Sequence, residues 1–341
     1  MLERLIYLDH AATTPLDSQV LGAMMPFLTA QFGNPSSIHR AGRASLDALD
    51  RARDVVAAVL GASPKELIFT GGGTEADNLA IKGTALAQRA AGRGAHIITT
   101  AVEHHAVLHA CEYLEQDGFE ITLLPVDGQG AIQIDDLRAA LRSDTVLVSV
   151  MYANNEVGTI QPVAEVGAIC RERGVPFHVD AVQAAGALSL NVRDLNVDLM
   201  TIAAHKFYGP KGVGMLYVRR GTPLLPQING GAQERRRRAG TENVAAIVGM
   251  AEALQLAEAQ RGIYVEHCGR LRDRLQQAIL ARVPFTHVNG DQARRLPNIL
   301  NISFDYIEGE SVLLLLDQHG IAASSGSACT SGSLEASHVL L

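Results

Sequence analysis

The chain has 341 residues, 47% hydrophobic and 19% charged, with a net charge of −7. This balance describes a soluble globular protein large enough for one large domain and a smaller one, and it argues against nucleic-acid binding. No apolar run reaches membrane-spanning length and no basic stretch with an apolar core opens the sequence, so a cytoplasmic protein is expected. From about residue 65 to 220, short apolar strands alternate with amphipathic helices. Strands are predicted at 66–70, 96–101, 120–126, 145–151, 176–180, 199–203 and 214–218, with helices at 74–90, 105–116, 134–141 and 163–173. That alternation predicts an α/β fold with a mainly parallel sheet. Residues 244–283 read as one long helix. A strand (298–304), a helix (308–319) and a strand (321–324) then predict a smaller α+β domain. The last residues, Ser333 to Leu341, are apolar and helix-like without a stop signal, so the C-terminus is expected to be cut off.

The polar groups fall just after the predicted strands, at the edge where open α/β sheets place their ligand crevice. Lys206 ends an apolar strand. A lysine buried there needs a partner or neutralisation, and a Schiff base with an aldehyde cofactor supplies the latter; the alternative is a solvated strand-end lysine. Asp180 ends the preceding strand, where a carboxylate suits a protonated pyridine nitrogen or, more plainly, caps the next helix. Thr70-Gly71-Gly72-Gly73-Thr74-Glu75 lies between strand and helix and matches neither the dinucleotide nor the Walker fingerprint, which favours a single phosphate over a nucleotide, or simply a glycine-rich turn.

Glu103-His104-His105 with His109 and Cys111 has helical histidine spacing, but it lacks the H-E-x-x-H order and a third ligand, so no metal is expected. The four cysteines, Cys111, Cys170, Cys268 and Cys329, contain no C-x-x-C pair and fit a reducing compartment. Cys329 sits in Ser324-Ser325-Gly326-Ser327-Ala328-Cys329-Thr330-Ser331-Gly332-Ser333, ten residues without an aromatic or charged side chain. Such a loop suits a nucleophile that must travel. The run Arg235–Arg238 reads as a solvated or phosphate-neighbouring loop.

Together these motifs resemble the cysteine desulfurases of the NifS/IscS type, class-V aminotransferases with the pyridoxal-phosphate-dependent, aspartate aminotransferase-like fold. The resemblance runs from Tyr7-Leu8-Asp9-His10-Ala11-Ala12-Thr13-Thr14-Pro15 to Ser333-Leu334-Glu335, and the cysteine motif is similar to that of the long-loop subclass. It implies a large cofactor domain over 15–250 and a small domain from 1–14 and 251–341, incomplete at its C-terminus and carrying the mobile loop 324–333. By resemblance, Lys206 carries pyridoxal 5'-phosphate, Asp180 pairs with its ring nitrogen and His104 stacks on the ring. Asn155 and Gln183 lie on its 3-hydroxyl side, while Gly73, Thr74, His205 and, from the second subunit of a homodimer, Thr241 hold the phosphate. The catalytic residues implied are Lys206, Cys329 and His104, the last as a proton acceptor.

The implied reaction converts L-cysteine to L-alanine and leaves sulfur on Cys329 as a persulfide. A sulfur-acceptor protein such as an iron–sulfur scaffold takes it on, and Cys329 is expected to contact a cluster during transfer. Two departures stand out. The phosphate-binding serine usual two positions before the His-Lys pair is Ala203, with Thr201 or backbone groups as substitutes. No residue takes the place of the arginine that clamps the substrate carboxylate, the run Arg235–Arg238 being the weak candidate. The alternatives are another aminotransferase of the same fold, or an impaired scaffold for sulfur transfer.

Overall fold

A computed structural model describes residues 5–325 and 337–341 of the chain. Its centre is a seven-stranded sheet of order β2-β8-β7-β6-β5-β3-β4. The strands are β2 (Leu67–Thr70), β3 (His96–Thr100), β4 (Glu120–Leu124), β5 (Thr145–Ser149), β6 (Phe177–Asp180), β7 (Leu199–Ala203) and β8 (Gly214–Val218). Only β8 runs against its neighbours, so the sheet is mainly parallel as expected. Six of the seven strands, all but the edge strand β4, are buried along their whole length, as befits a parallel sheet covered on both faces.

Helices α3 (Gly73–Ala90) and α4 (His105–Gln116) cover one face through Leu79, Ile81, Val107 and Leu114. The opposite face packs on α1 (Ser18–Thr29), α2 (Arg40–Leu60), α5 (Ile134–Ala140), α6 (Val163–Arg173) and the start of the long α8 (Val244–Arg282). A four-residue turn, α7 (Gln233–Arg236), precedes α8. In α2, Leu49, Ala52, Val56 and Leu60 recur at helical spacing, and Gly61 closes the helix at φ 64, a conformation that favours glycine.

Two small sheets complete the fold. β1 (Ile6–Tyr7) pairs in parallel with β11 (Ile321–Ala322), and β9 (Thr286–Val288) pairs antiparallel with β10 (Ile302–Phe304). Helix α9 (Gly309–Gln318) lies between β10 and β11. The strand expected over 298–304 is thus shorter, beginning at Ile302, just after Asn301, whose side-chain amide donates to the Glu156 carbonyl at 3.1 Å. The helix-like reading of the chain end finds no helix among described residues 337–341, which form a turn with Leu341 almost fully exposed.

Candidate active site

Parallel strands deliver their C-terminal ends to one edge, and a cavity of about 1270 Å³ opens there. Its wall includes Gly73 and Thr74 after β2, His104 after β3, Asn155 after β5, Asp180 and Gln183 after β6, and His205 and Lys206 after β7. Eight of the residues singled out in the sequence therefore meet in one place. Thr241 does not line this cavity; it is exposed on the loop before α8. Cys329 lies outside the described residues, but Ser324 and Ser325, which begin its loop, line the cavity, and Ser324 Oγ donates to Asp9 Oδ1 at 2.6 Å.

The N-terminal segment closes the site from above. Lys206 Nζ donates to the carbonyl oxygens of Ala11 at 2.5 Å and Ala12 at 2.9 Å, and Gln183 Nε2 donates to Ala11 O at 3.0 Å. Thr14 ties this segment to the lysine's strand end: its hydroxyl donates to His205 O at 3.0 Å and accepts from Tyr208 N at 2.7 Å. The phosphate-loop candidate is drawn tight by Glu75, whose Oε2 accepts from Gly71 N at 2.7 Å. A Cβ on Gly73 would lie 3.0 Å from Val182 Cγ2 and 3.4 Å from Ala203 Cβ, so a larger residue there would crowd the wall of the cavity at the helix start.

Asp180 is buried, and its Oδ1 accepts from Val182 N at 2.9 Å, so the turn-capping alternative is part of its role. Burial raises its pKa, while His104 and Lys206 pull it back. His104 caps α4: its Nδ1 accepts from Ala106 N at 3.1 Å. With Nδ1 accepting, the ring is neutral and its proton sits on Nε2. Burial lowers the His104 pKa, in keeping with that state. Taking up a proton at Nδ1, as expected of His104 toward the thiol, would cost that cap; the thiol itself lies outside the described residues.

Two expectations are corrected. The Thr201 hydroxyl faces His178 Nε2 at 3.1 Å and is fully buried, so it is not a substitute for the phosphate-binding serine. None of Arg235–Arg238 lines the cavity; Arg238 Nε instead donates to Glu75 Oε1 at 2.8 Å. Arg272 does line it, but its Nη1 is committed to Leu296 O at 2.8 Å. The rings of His105 and His109 stack at 5.0 Å and His338 meets His105 at 4.8 Å, yet no group of described residues is arranged to hold a metal. Cys111 belongs to the core beneath α4.

Sequence reasoning passed over two buried groups, Asp77 at the cavity wall and His178 behind it, and weighed the buried Glu103 only as part of the histidine cluster. Asp77 follows Gly73 by one helical turn and so shares its face, a spacing that could have revealed it. It also passed over a stripe on α8, where Tyr264, Cys268, Arg272 and Leu275 line the cavity at near four-residue intervals.

Residues 6–340 match the family described as aminotransferase class-V. The protein named cysteine desulfurase IscS of Dictyoglomus turgidum is 53% identical over 339 residues, covering 99% of this chain and 86% of that one. A solved structure titled NifS-like protein superposes with a TM-score of 0.92 at 40% identity, covering 99% of this chain and 89% of that one. Another, SspA in complex with cysteine, gives 0.85 at 34%, covering 98% and 93%.

Proposed function

The chain belongs to the class-V aminotransferase family, and from that premise we propose that it is a pyridoxal-phosphate-dependent cysteine desulfurase. It converts L-cysteine to L-alanine and retains the sulfur as a persulfide on Cys329. The observation that carries this reading is the meeting of Lys206, Asp180, His104 and Gly73–Thr74 in one cavity whose wall includes Ser325, four residues before Cys329. Four residues span at most about 14 Å, so the thiol is tethered to the site.

The residues present fit the cofactor. The free N–H groups at the start of α3, with Thr74 and His205, suit a phosphate; Asp180 suits a protonated ring nitrogen; Lys206 is placed to hold the aldehyde carbon. When bound, pyridoxal phosphate supplies an electron sink for the substrate's Cα. Lys206 would be the base that moves the substrate's Cα proton. His104, whose Nδ1 caps α4, would pack against the cofactor ring and Asn155 and Gln183 would bind its 3-hydroxyl side. The Cys329 thiolate attacks the substrate sulfur: the carbon–sulfur bond breaks, a sulfur–sulfur bond forms, and a proton replaces sulfur on the departing alanine. L-cysteine plus thiol becomes L-alanine plus persulfide, with no external redox partner.

A homodimer in which Thr241 of the second copy completes the phosphate site accords with that residue's exposure outside its own cavity. The persulfide then passes to an acceptor protein, with iron–sulfur cluster assembly the natural use in a reducing cytoplasm.

Purified holoenzyme given L-cysteine and a thiol reductant tests this. Alanine and sulfide form in equal amounts, Lys206→Ala loses the cofactor's visible absorbance, and Cys329→Ser keeps the absorbance but not sulfide production. Alanine production that requires a 2-oxo acid and survives Cys329→Ser would assign an aminotransferase instead.

A further inference from the structure

Asp180 is not the only carboxyl group at the floor of the cavity. Asp77 is 1% exposed, lines the same cavity, and its Oδ1 has no hydrogen-bond partner. The nearest basic group is His178, whose Nε2 lies 3.6 Å from that oxygen. That imidazole brings no charge. Its Nδ1 meets Ser149 Oγ at 2.9 Å and its Nε2 meets Thr201 Oγ1 at 3.1 Å, and burial pushes its pKa down to about 3. Burial above all, and then the negative fields of Asp180 and Glu103, raise the Asp77 pKa, while a hydrogen bond with Thr201 lowers it.

Two carboxyl groups sharing a desolvated site cannot both ionise without a cation for each. Asp180 has the better claim to the charge: it accepts from Val182 N and feels the attraction of Lys206. Asp77 has one hydroxyl and an orphaned oxygen. Glu103 behaves similarly, with Oε1 taking Thr100 Oγ1 and Met151 N, both at 2.8 Å, and Oε2 unpartnered.

We propose that Asp77 is a positioning residue for the cofactor, an undissociated acid that leaves the floor of the site with one negative charge, on Asp180, where the ring nitrogen docks. The proposal rests on the reading of this cavity as a pyridoxal phosphate site. An ionised Asp77 would drive a proton onto Asp180 and remove the anion that the ring nitrogen needs. The role is electrostatic and needs no contact between Asp77 and substrate.

Aspartate labelled with carbon-13 in its side-chain carboxyl tests this in the wild-type protein freed of cofactor. Infrared spectra at neutral pH show an undissociated aspartic acid, and the band disappears in Asp77→Asn but persists in Asp180→Asn. Because asparagine copies the shape and neutrality of that acid, Asp77→Asn binds added pyridoxal phosphate within about threefold of wild type, whereas Asp180→Asn loses roughly thirtyfold or more. A wild-type spectrum with only ionised aspartates overturns the proposal, whether or not the variants fold. Equal loss of affinity in the two variants overturns it too. If wild-type protein takes up no pyridoxal phosphate at all, the cofactor reading and the positioning role fall together, while the labelled band stands, so the two failures read differently.

Discussion

Lys206 Nζ donates a 2.5 Å hydrogen bond to the carbonyl oxygen of Ala11, a residue 195 positions earlier in the chain. The amine is thus held over the cavity by the N-terminal segment, and what fixes that segment bears on the lysine. The Tyr7 hydroxyl lies 3.0 Å from Asp9 O and 2.9 Å from Thr13 O, bracketing the turn that carries Ala11 and Ala12.

Tyr7→Phe removes that bracket while keeping the ring. One net hydrogen bond is worth about 0.5–1.5 kcal/mol, so kcat/KM for L-cysteine falls roughly two- to tenfold. Steady-state kinetics beside a denaturation curve check it; a loss of stability without a loss of kcat/KM would place the hydroxyl outside the lysine's support.

Ala203→Ser restores a hydroxyl beneath the start of α3, where Ala203 Cβ would sit 3.4 Å from a Cβ on Gly73. A hydrogen bond to a charged group contributes about 1.5–3 kcal/mol, which corresponds to about tenfold or more in affinity for pyridoxal phosphate. Titration of cofactor-free protein measures it, and an unchanged affinity would mean that backbone N–H groups already satisfy the phosphate.

Glu103 gives stability a pH dependence of definite sign. Burial pushes its pKa up from 4.5 to about 8. Between those values the folded chain keeps a proton that the unfolded chain has released, so this group's contribution falls as pH rises, by at most roughly 1.4 kcal/mol per unit. Glu103→Gln abolishes that slope. Its stability relative to wild type therefore improves from about pH 5 to about pH 8 in urea denaturation, and parallel curves would show that Glu103 is already ionised in the folded protein.

Arg53 and Glu234 form a buried ion pair at 2.7 Å, and Glu234 Oε2 also accepts from Phe69 N at 3.2 Å. Removing one partner strands the other, so Arg53→Ala costs about 3–5 kcal/mol. The double variant Arg53→Met with Glu234→Gln costs less than the sum of its singles, measurable as a double-mutant cycle.

What was legible in the sequence follows from where punctuation is sharp. The ends of α4, α6, β7 and β8 match the reading to the residue: Gly174, at φ 66, closes α6, and His104 caps α4. Strand ends beside polar residues were the site's clearest signal, because a polar group after a buried strand has few other reasons to be there. Nothing was assigned over α1 and α2. Gly22 and Pro26 disguise α1, since proline removes a helical donor, whereas α2 carries the full apolar spacing and was open to detection. Asp77 and His178 stayed hidden for a different reason: a buried carboxyl group and a neutral imidazole on separate elements become a pair only once β6 and α3 are brought together.

Helix α8 runs for 39 residues, packing Val244–Leu254 into the core at one end and presenting Tyr264, Cys268, Arg272 and Leu275 to the cavity further along. Because both tasks share one unbroken spiral, it works as an indexing shaft. A single residue inserted near position 258 would rotate everything beyond it by about 100° and advance it about 1.5 Å. The buried end would stay seated while the pocket-facing stripe swung toward solvent. Chain length at this point is therefore as much a determinant of the cavity as the identity of any side chain that lines it.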